Sequence, residues 1–518
     1  MNHRIIMQYG GVVMVLVSGI MILVAAGVYL MALIRGSTLD AFAHQALSIT
    51  GLGGLLIGVP TWLLNRGGSK FLSRKEAMLL VAGTWVVGAA LAGMPYYLWA
   101  KWKATGVNRH VFQHFVSCYF EAMSGLTTTG ATVLSDIESM PRSLLVWRAI
   151  THWLGGLGIV VLFVAVLPGL GVGGKRMFMI EAPGPAPEGL VPKIRETAKS
   201  LWYIYLGLTA VQVLALLPFM SLYESICHTF ATLATGGFST RNASIGAFHD
   251  QPMVDVIVVF FMILAGANFG LYYRITHGDW RSVLRDPELR LYLLVLAVSA
   301  GIVSSVVYFD RQPIELTDGT VLEATAIEAA RQGVVTTVSV QTTTGFCTSN
   351  YNGWPFLAQG MLVLLMFIGG CSGSTAGGIK VVRVWIAFKV LISEIEKIYR
   401  PDVIRPVRLG KATMDPELKL GTVCYFLGCI LIFTAGAGAV MLLEQLRPNS
   451  PCDFTTAATA SAATLFTIGP GLAKVGAIEN YGWMSEWSKA VLCVLMAFGR
   501  LEIFAIIVLF TPSFWKSD

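Results

Sequence analysis

The sequence predicts an all-α polytopic membrane protein: two N-terminal spans, then four copies of a unit made of a span, a half-length helix and a second span. Three observations carry this. Of 518 residues, 55% are hydrophobic and 13% charged, about half the charged share of a soluble globular chain; the mean hydropathy is +0.67. Apolar runs such as 11–34, 76–99 and 487–510 reach the length that crosses a bilayer. A short Thr-Gly pattern recurs four times with matching surroundings. These features exclude a cytosolic enzyme, a secreted domain and a nucleic-acid-binding protein. The net charge of +7 is small for this length, and its placement suits membrane topology.

Met1 to Arg4 precede the run at 11–34, which is too long for a signal-peptide core and reads as a retained span. With 45–64 it forms a two-helix extension over 1–75. The first repeat, 76–170, holds a span at 76–99, a short segment at 111–126 and a span at 144–168. The second, 201–273, holds 201–220, 222–234 and 252–272. The third, 291–383, holds 291–309, 326–341 and 355–383. The fourth, 418–512, holds 418–442, 453–466 and 487–510. The short segments cannot cross a bilayer, so the expectation is ten full spans and four half-helices. Of the 37 Lys and Arg, 24 fall in one alternating set of connecting segments that includes both ends of the chain. The excess of basic residues places that set, and both termini, in the cytoplasm. Pro183, Pro185, Pro187 and Pro192 mark 181–192 as an extended cytoplasmic linker. The basic stretch 380–419 is either a solvated loop or a docking surface for a partner or anionic lipid headgroups.

The recurring pattern reads Thr127-Thr128-Thr129-Gly130, Ala234-Thr235-Gly236-Gly237, Thr342-Thr343-Thr344-Gly345 and Thr467-Ile468-Gly469, always on the outer side. It aligns Gly130, Gly236, Gly345 and Gly469. About 25 to 30 residues later, each trailing span carries a glycine-centred core, around Gly155, Gly266, Gly370 and Gly499. A half-helix inside a membrane survives only where protein or a watery path surrounds its unpaired carbonyls. Its C-terminal end carries roughly half a negative charge. Four such ends aimed at one axis stabilise a cation there, and carbonyl oxygens from glycine-containing turns can replace the hydration shell of an alkali ion. Candidate ligating positions are Thr128, Thr129, Gly130, Thr235, Gly236, Thr343, Thr344, Gly345, Ile468 and Gly469. The copies hold no carboxylate, imidazole or thiolate of the kind magnesium or a transition metal favours. The eight cysteines form no CxxC pair and the eight histidines do not cluster with them, so neither a metal site nor a disulfide framework has support. The acids in the outer segments, among them Asp136, Glu138, Asp250, Asp310, Glu315, Asp318 and Glu444, are either ordinary loop charge or a negative vestibule that concentrates cations. Glu121, on the first half-helix, is as readily a structural hydrogen-bond partner as an ion attractor.

Over essentially its whole length the chain resembles the Trk/Ktr/HKT superfamily of potassium transporters, most closely the TrkH/TrkG-type membrane subunits of bacterial potassium uptake systems. The two extra N-terminal spans match that type. The resemblance implies four K+ channel-like membrane–pore–membrane units around one central pore and a homodimer in the bacterial inner membrane, surrounded by lipid. It also implies a cytoplasmic TrkA-type regulatory ring. K+ is then the transported ion at the filter, with no cofactor on this chain and the nucleotide on the partner. In that family a serine at the first filter glycine accompanies sodium selectivity in some plant members, so Gly130 favours potassium. The fourth copy departs from many relatives in carrying Thr467 near a position where they have asparagine.

Residues 369–378, Gly-Gly-Cys-Ser-Gly-Ser-Thr-Ala-Gly-Gly, interrupt the third trailing span. Such a composition does not form a stable lipid-facing helix, and a phosphate-binding reading fails because Lys380 does not complete the required motif. The two readings are a tight helix crossing and, as the family implies, a mobile intramembrane gate built from Gly370, Ser372, Gly373, Ser374, Thr375 and Gly377. Arg500 lies within the last span, where a cation is costly and functional by default. The resemblance places it near the path below the filter; the alternatives are a pair with Glu502 or contacts to carbonyls. Potassium uptake by a gated path is the function expected, with symport coupled to H+ or Na+ as the alternative. No HExxH, GxSxG or paired-carboxylate motif in the spans supports an enzyme.

Overall fold

The computed structural model describes residues 2–35, 40–67, 73–103, 110–156, 158, 194–400, 408–409, 412–413, 416–501 and 503–516. The linker at 181–192, most of the first trailing span beyond Gly156, and Glu502 lie outside these residues.

Lipid offers no hydrogen bonds, so an apolar chain must satisfy its backbone within helices. The N-terminal pair is α1 (His3–Arg35) and α2 (Ala41–Leu64). They pack antiparallel through small residues: Gly51 and Gly54 of α2 lie against Ser18, and Gly58 lies against Gly11. Without side chains at these points the backbones approach closely enough for dispersion to hold them. The helix α3 (Arg74–Lys103) leads to the short α4 (Phe115–Leu126), followed by α5 (Arg142–Gly156). Next come α6 (Ile194–Leu216), the short α7 (Leu222–Leu233), α8 (Pro252–Gly266), α9 (Phe269–Thr276) and α10 (Trp280–Leu284). The third group is α11 (Pro287–Asp310), the short α12 (Ala326–Gln341), α13 (Phe356–Phe367) and α14 (Val381–Tyr399). A small antiparallel ribbon, β1 (Ile314–Glu315) with β2 (Val321–Leu322), pairs Ile314 with Leu322 before α12. A second, β3 (Arg408–Leu409) with β4 (Ala412–Thr413), follows α14. The chain ends with α15 (Pro416–Gln445), the short α16 (Phe454–Leu465), α17 (Glu486–Arg500), α18 (Ile503–Ile507) and α19 (Pro512–Trp515).

Three of the four short helices start on a side-chain cap. Ser221, Thr325 and Asp453 accept from the backbone N–H three residues on, which satisfies one of the orphan donors of a helix start. All four short helices are buried along most of their length. In α16 this burial is achieved almost entirely with alanine, threonine and serine, small residues that permit close helix contact.

Among the described residues, six helices are long and apolar enough to cross a membrane: α1, α2, α3, α6, α11 and α15. The second and fourth trailing spans, expected as continuous at 252–272 and 487–510, are broken, and the third, at 355–383, breaks where its glycine-rich stretch lies. The second breaks between α8 and α9 with a bend of 94°, because Ala267 and Asn268 are extended (ψ 159° and 119°). The third is interrupted from 368 to 380, where the glycine-rich composition predicts a break. In the fourth, α17 ends at Arg500 and a separate α18 follows.

Candidate functional site

Each short helix ends in the same way. The residue after the C-cap takes the left-handed conformation, and it is a threonine every time: Thr128 (φ 54°), Thr235 (53°), Thr343 (54°) and Thr467 (53°). The following N–H then bonds back five residues, Thr129 to Ser124, Gly236 to Ala231, Thr344 to Ser339 and Ile468 to Ala463, at 2.8 to 2.9 Å. This double turn normally uses glycine, since a β-branched residue at positive φ is strained. Strain of this kind persists only where the surroundings over-determine it, and it clusters at functional sites.

Two residues later the backbone again has positive φ, at Gly130 (79°), Gly237 (76°), Gly345 (79°) and Gly469 (96°). This shifts the second copy by one residue from the sequence alignment: Gly237, not Gly236, matches Gly130. Each of these glycines lies four residues past the last helical residue, Leu126, Leu233, Gln341 or Leu465. The pair Gly237-Phe238 also mirrors Gly345-Phe346, the signal that the alignment on Gly236 overlooked.

The four segments close into a ring. A Cβ built on Gly130 would fall under 3.0 Å from the carbonyl oxygen of Gly236. The same holds for Gly237 against Thr344, Gly345 against Ile468, and Gly469 against Thr129. The contacts run in order around the four copies and back to the first. One layer of carbonyl oxygens, from residues 129, 236, 344 and 468, thus lies beside four glycines that leave no room for a side chain. Hydroxyl pairs brace two of the segments, Thr127 with Thr129 at 2.7 Å and Thr342 with Thr344 at 2.8 Å. The Tyr481 hydroxyl donates to the Gly469 carbonyl at 2.7 Å, a brace that sequence reasoning missed.

Outside the ring lies a cavity of about 200 Å³ whose lining includes all four glycines together with Arg148, Arg241 and Glu479. None of the seven outer acids named from the sequence lines it. Glu444 is buried and accepts from Ser485 N and Ser488 Oγ, Asp318 faces His249 at 3.0 Å, and Asp136 accepts from Asn242. Arg241 is bonded to Glu224, which together with Glu138 nearby raises its pKa against partial desolvation.

Glu121 is a structural anchor. It is fully buried, pairs with Arg148 at 2.6 Å, and accepts from the Thr132 hydroxyl and the Val133 N–H, both at 2.9 Å. It therefore holds the stretch just past Gly130. Arg148 is itself buried at 3% exposure, so removing the carboxylate leaves an uncompensated charge. Glu121→Gln is expected to destabilise the protein by about 3 kcal/mol, read as a lower thermal unfolding temperature in detergent.

Inside the ring, the interruption at 368–380 forms a loop closed at its base by Gly369 N to Ile379 O (3.0 Å) and Ile379 N to Phe367 O (3.1 Å). Gly377 N donates to Thr343 Oγ1 at 2.7 Å, and a Cβ on Gly377 would overlap Thr467 Oγ1. The Thr375 hydroxyl bonds Leu233 O at 2.9 Å and Ala265 O at 3.1 Å. Gly370 lies against Gly266 O, Ser374 Oγ donates to Cys371 O, and Gly373 has positive φ beside Asn268. Ser372 N donates to Glu288 Oε1 at 2.6 Å, a partner the sequence did not disclose. Arg500 bonds the carbonyls of Thr375 (2.9 Å), Gly155 and Gly156 (2.8 Å), and Thr128 Oγ1 at 3.2 Å. It ties loop, ring and first trailing helix together through carbonyl contacts. Two of the four strained threonines are tied to this junction: Thr128 turns its hydroxyl to Arg500 and Thr343 to the loop.

The glycine cores of the trailing helices serve the same junction. A Cβ on Gly155 would overlap Leu126 O, and one on Gly499 would overlap Leu465 O, so both helices lean on the carbonyl ends of α4 and α16.

A family model described as TrkH, cation transport protein, matches residues 98–517. The Trk system potassium uptake protein TrkH of Escherichia coli K12 is 35% identical over 100% of both chains. TrkG of the same strain is 32% identical over 89% of this chain and 90% of its own length. The crystal structure of the potassium transporter TrkH from Vibrio parahaemolyticus aligns with a TM-score of 0.82 and 30% identity, covering 100% of each chain.

Proposed function

The chain belongs to the TrkH family of cation transport proteins, and we propose that it takes up potassium through the ring of four Thr-Gly segments. The observation that carries this reading is the cyclic contact of Gly130, Gly237, Gly345 and Gly469 with the carbonyls of the neighbouring segments. A layer of main-chain oxygens fixed by neighbouring backbone replaces the water around a monovalent ion. The helix ends beneath it add partial negative charge on the same axis. Ligating positions are Thr128, Thr129, Gly130, Thr235, Gly236, Gly237, Thr343, Thr344, Gly345, Ile468 and Gly469.

The loop at 369–378 and Arg500 form the gate. In the arrangement described they press against the inner face of the ring, and a guanidinium there opposes a passing cation. The ring's own residues carry no titratable side chain, which favours flow driven by the membrane potential, roughly 2.3 kcal/mol per charge at 100 mV. The protein works as a multi-pass inner-membrane subunit with cytoplasmic termini, as a homodimer, and with a nucleotide-binding regulatory ring docked on its cytoplasmic side.

The test is growth of a potassium-uptake-deficient bacterium at limiting potassium, with and without a regulatory subunit. Rescue by the wild-type chain that is lost on Gly345→Asp supports the reading. Equal growth with the empty vector contradicts it.

A further inference from the structure

The break between α8 and α9 and the intramembrane loop complete each other's hydrogen bonds. In a continuous helix Phe269 N would bond Ala265 O, and Gly270 N would bond Gly266 O. Here each of these four groups has another partner. Ala265 O accepts from Thr375 N (3.3 Å) and the Thr375 hydroxyl (3.1 Å), and Gly266 O accepts from Cys371 N (2.8 Å). Phe269 N donates to Gly373 O (3.0 Å), and Gly270 N donates to Asn268 Oδ1 (2.8 Å). The loop backbone thus stands in for the missing turn of the helix, and Asn268 caps the cut end.

We infer that residues 265–270 are the receptor for the loop, and that the loop leaves the ring only as α8 and α9 join into one helix. The inference rests on the loop being the gate. At membrane depth a departing loop would leave two carbonyls and one N–H of a buried segment without partners, a cost to be offset by new bonds within the protein or by water. Joining the helices pairs all of them again, residue for residue, with no outside partner. Asn268 is then a positioning residue: its extended backbone (φ −66°, ψ 119°) and its cap hold the break open. Glu288, at the start of α11, holds the loop tip through Ser372 N and belongs to the same clasp.

One position tests both directions. Asn268→Ala removes the cap and favours the joined helix, so resting flux rises about fivefold to tenfold. Asn268→Pro fits the broken state, since φ is already near −65° and the preceding Ala267 is extended, but it forbids a continuous helix. Rubidium tracer flux in proteoliposomes of the full chain is expected to rise in Arg500→Ala and to fall back to the wild-type level in Arg500→Ala with Asn268→Pro. A second measurement does not depend on the proline variant folding. Spin labels at Met253 and Ile275, both exposed, lie about 22 Å apart across a right-angled break and about 33 Å apart on a straight helix at about 1.5 Å per residue. Trimming the loop within 371–377 is expected to shift the distance to the longer value. If Arg500→Ala and the trimmed loop conduct freely while the distance stays short or the double variant stays open, the coupling is overturned and the gate stands. If neither variant raises flux, gate and coupling fall together.

Discussion

Arg500→Ala raises resting potassium flux about tenfold or more. Arg500 donates to the loop at Thr375 O, to the ring at Thr128 Oγ1 and to α5 at Gly155 O and Gly156 O. A hydrogen bond from a charged donor contributes about 1.5–3 kcal/mol, and each 1.4 kcal/mol is about tenfold in a population. Loss of the Thr375 bond alone is therefore enough for the expected rise, before removal of the positive charge beneath the ring is counted. Arg500→Lys separates the two effects. It keeps the charge but not the planar fork that reaches several carbonyls at once, so it is expected to loosen the loop while still opposing cations, giving a smaller rise. Tracer flux into proteoliposomes measures both, and wild-type flux in the alanine variant would leave Arg500 a purely structural tie.

Substitution of the ring glycines gives the second large effect. Gly130→Ser and Gly237→Ser are each expected to reduce potassium over sodium discrimination about tenfold or more. At φ of +79° and +76° a side chain is strained, by roughly 1–2 kcal/mol from backbone conformation alone. Its Cβ would also drive into the Gly236 or Thr344 carbonyl, an oxygen of the ligating layer. The oxygens cannot keep a spacing fitted to one ion when one of them is pushed aside. The two variants should behave alike because their surroundings are alike, which tests the register of the second copy. At Gly236 a Cβ would instead meet the His152 ring, a different injury behind the ring. Competition of unlabelled sodium against rubidium tracer reads the discrimination ratio.

Much of this was legible in the sequence because it rests on length and composition. Apolar runs place the six continuous spans, and segments too short to cross a membrane place α4, α7, α12 and α16. Five glycines in ten residues place the interruption at 369–378. What was not legible rests on geometry between distant residues. Gly236 and Gly237 both read as turn residues; the constant distance from the helix end selects Gly237, and the match of Gly237-Phe238 to Gly345-Phe346 is the trace of it in the sequence. The break at Ala267-Asn268 gives no local warning, because the carbonyls it frees are satisfied by Thr375 and Cys371 from a loop about a hundred residues away. Likewise no spacing links Glu288 to Ser372, or Tyr481 to Gly469. Of the two readings of the outer acids, ordinary loop charge fits: Asp136, Glu138, Asp318 and Glu444 are engaged by Asn242, Arg241, His249 and Ser488, and among the residues lining the outer cavity the carboxylate is Glu479.

The most direct measurement is anomalous diffraction from crystals of the protein soaked in rubidium or thallium salt. A peak on the axis of the ring, within contact of the carbonyl oxygens of residues 129, 236, 344 and 468, is the result expected. An ordered ring without a peak, with the ion bound elsewhere in the chain, would contradict a path built from main-chain oxygens.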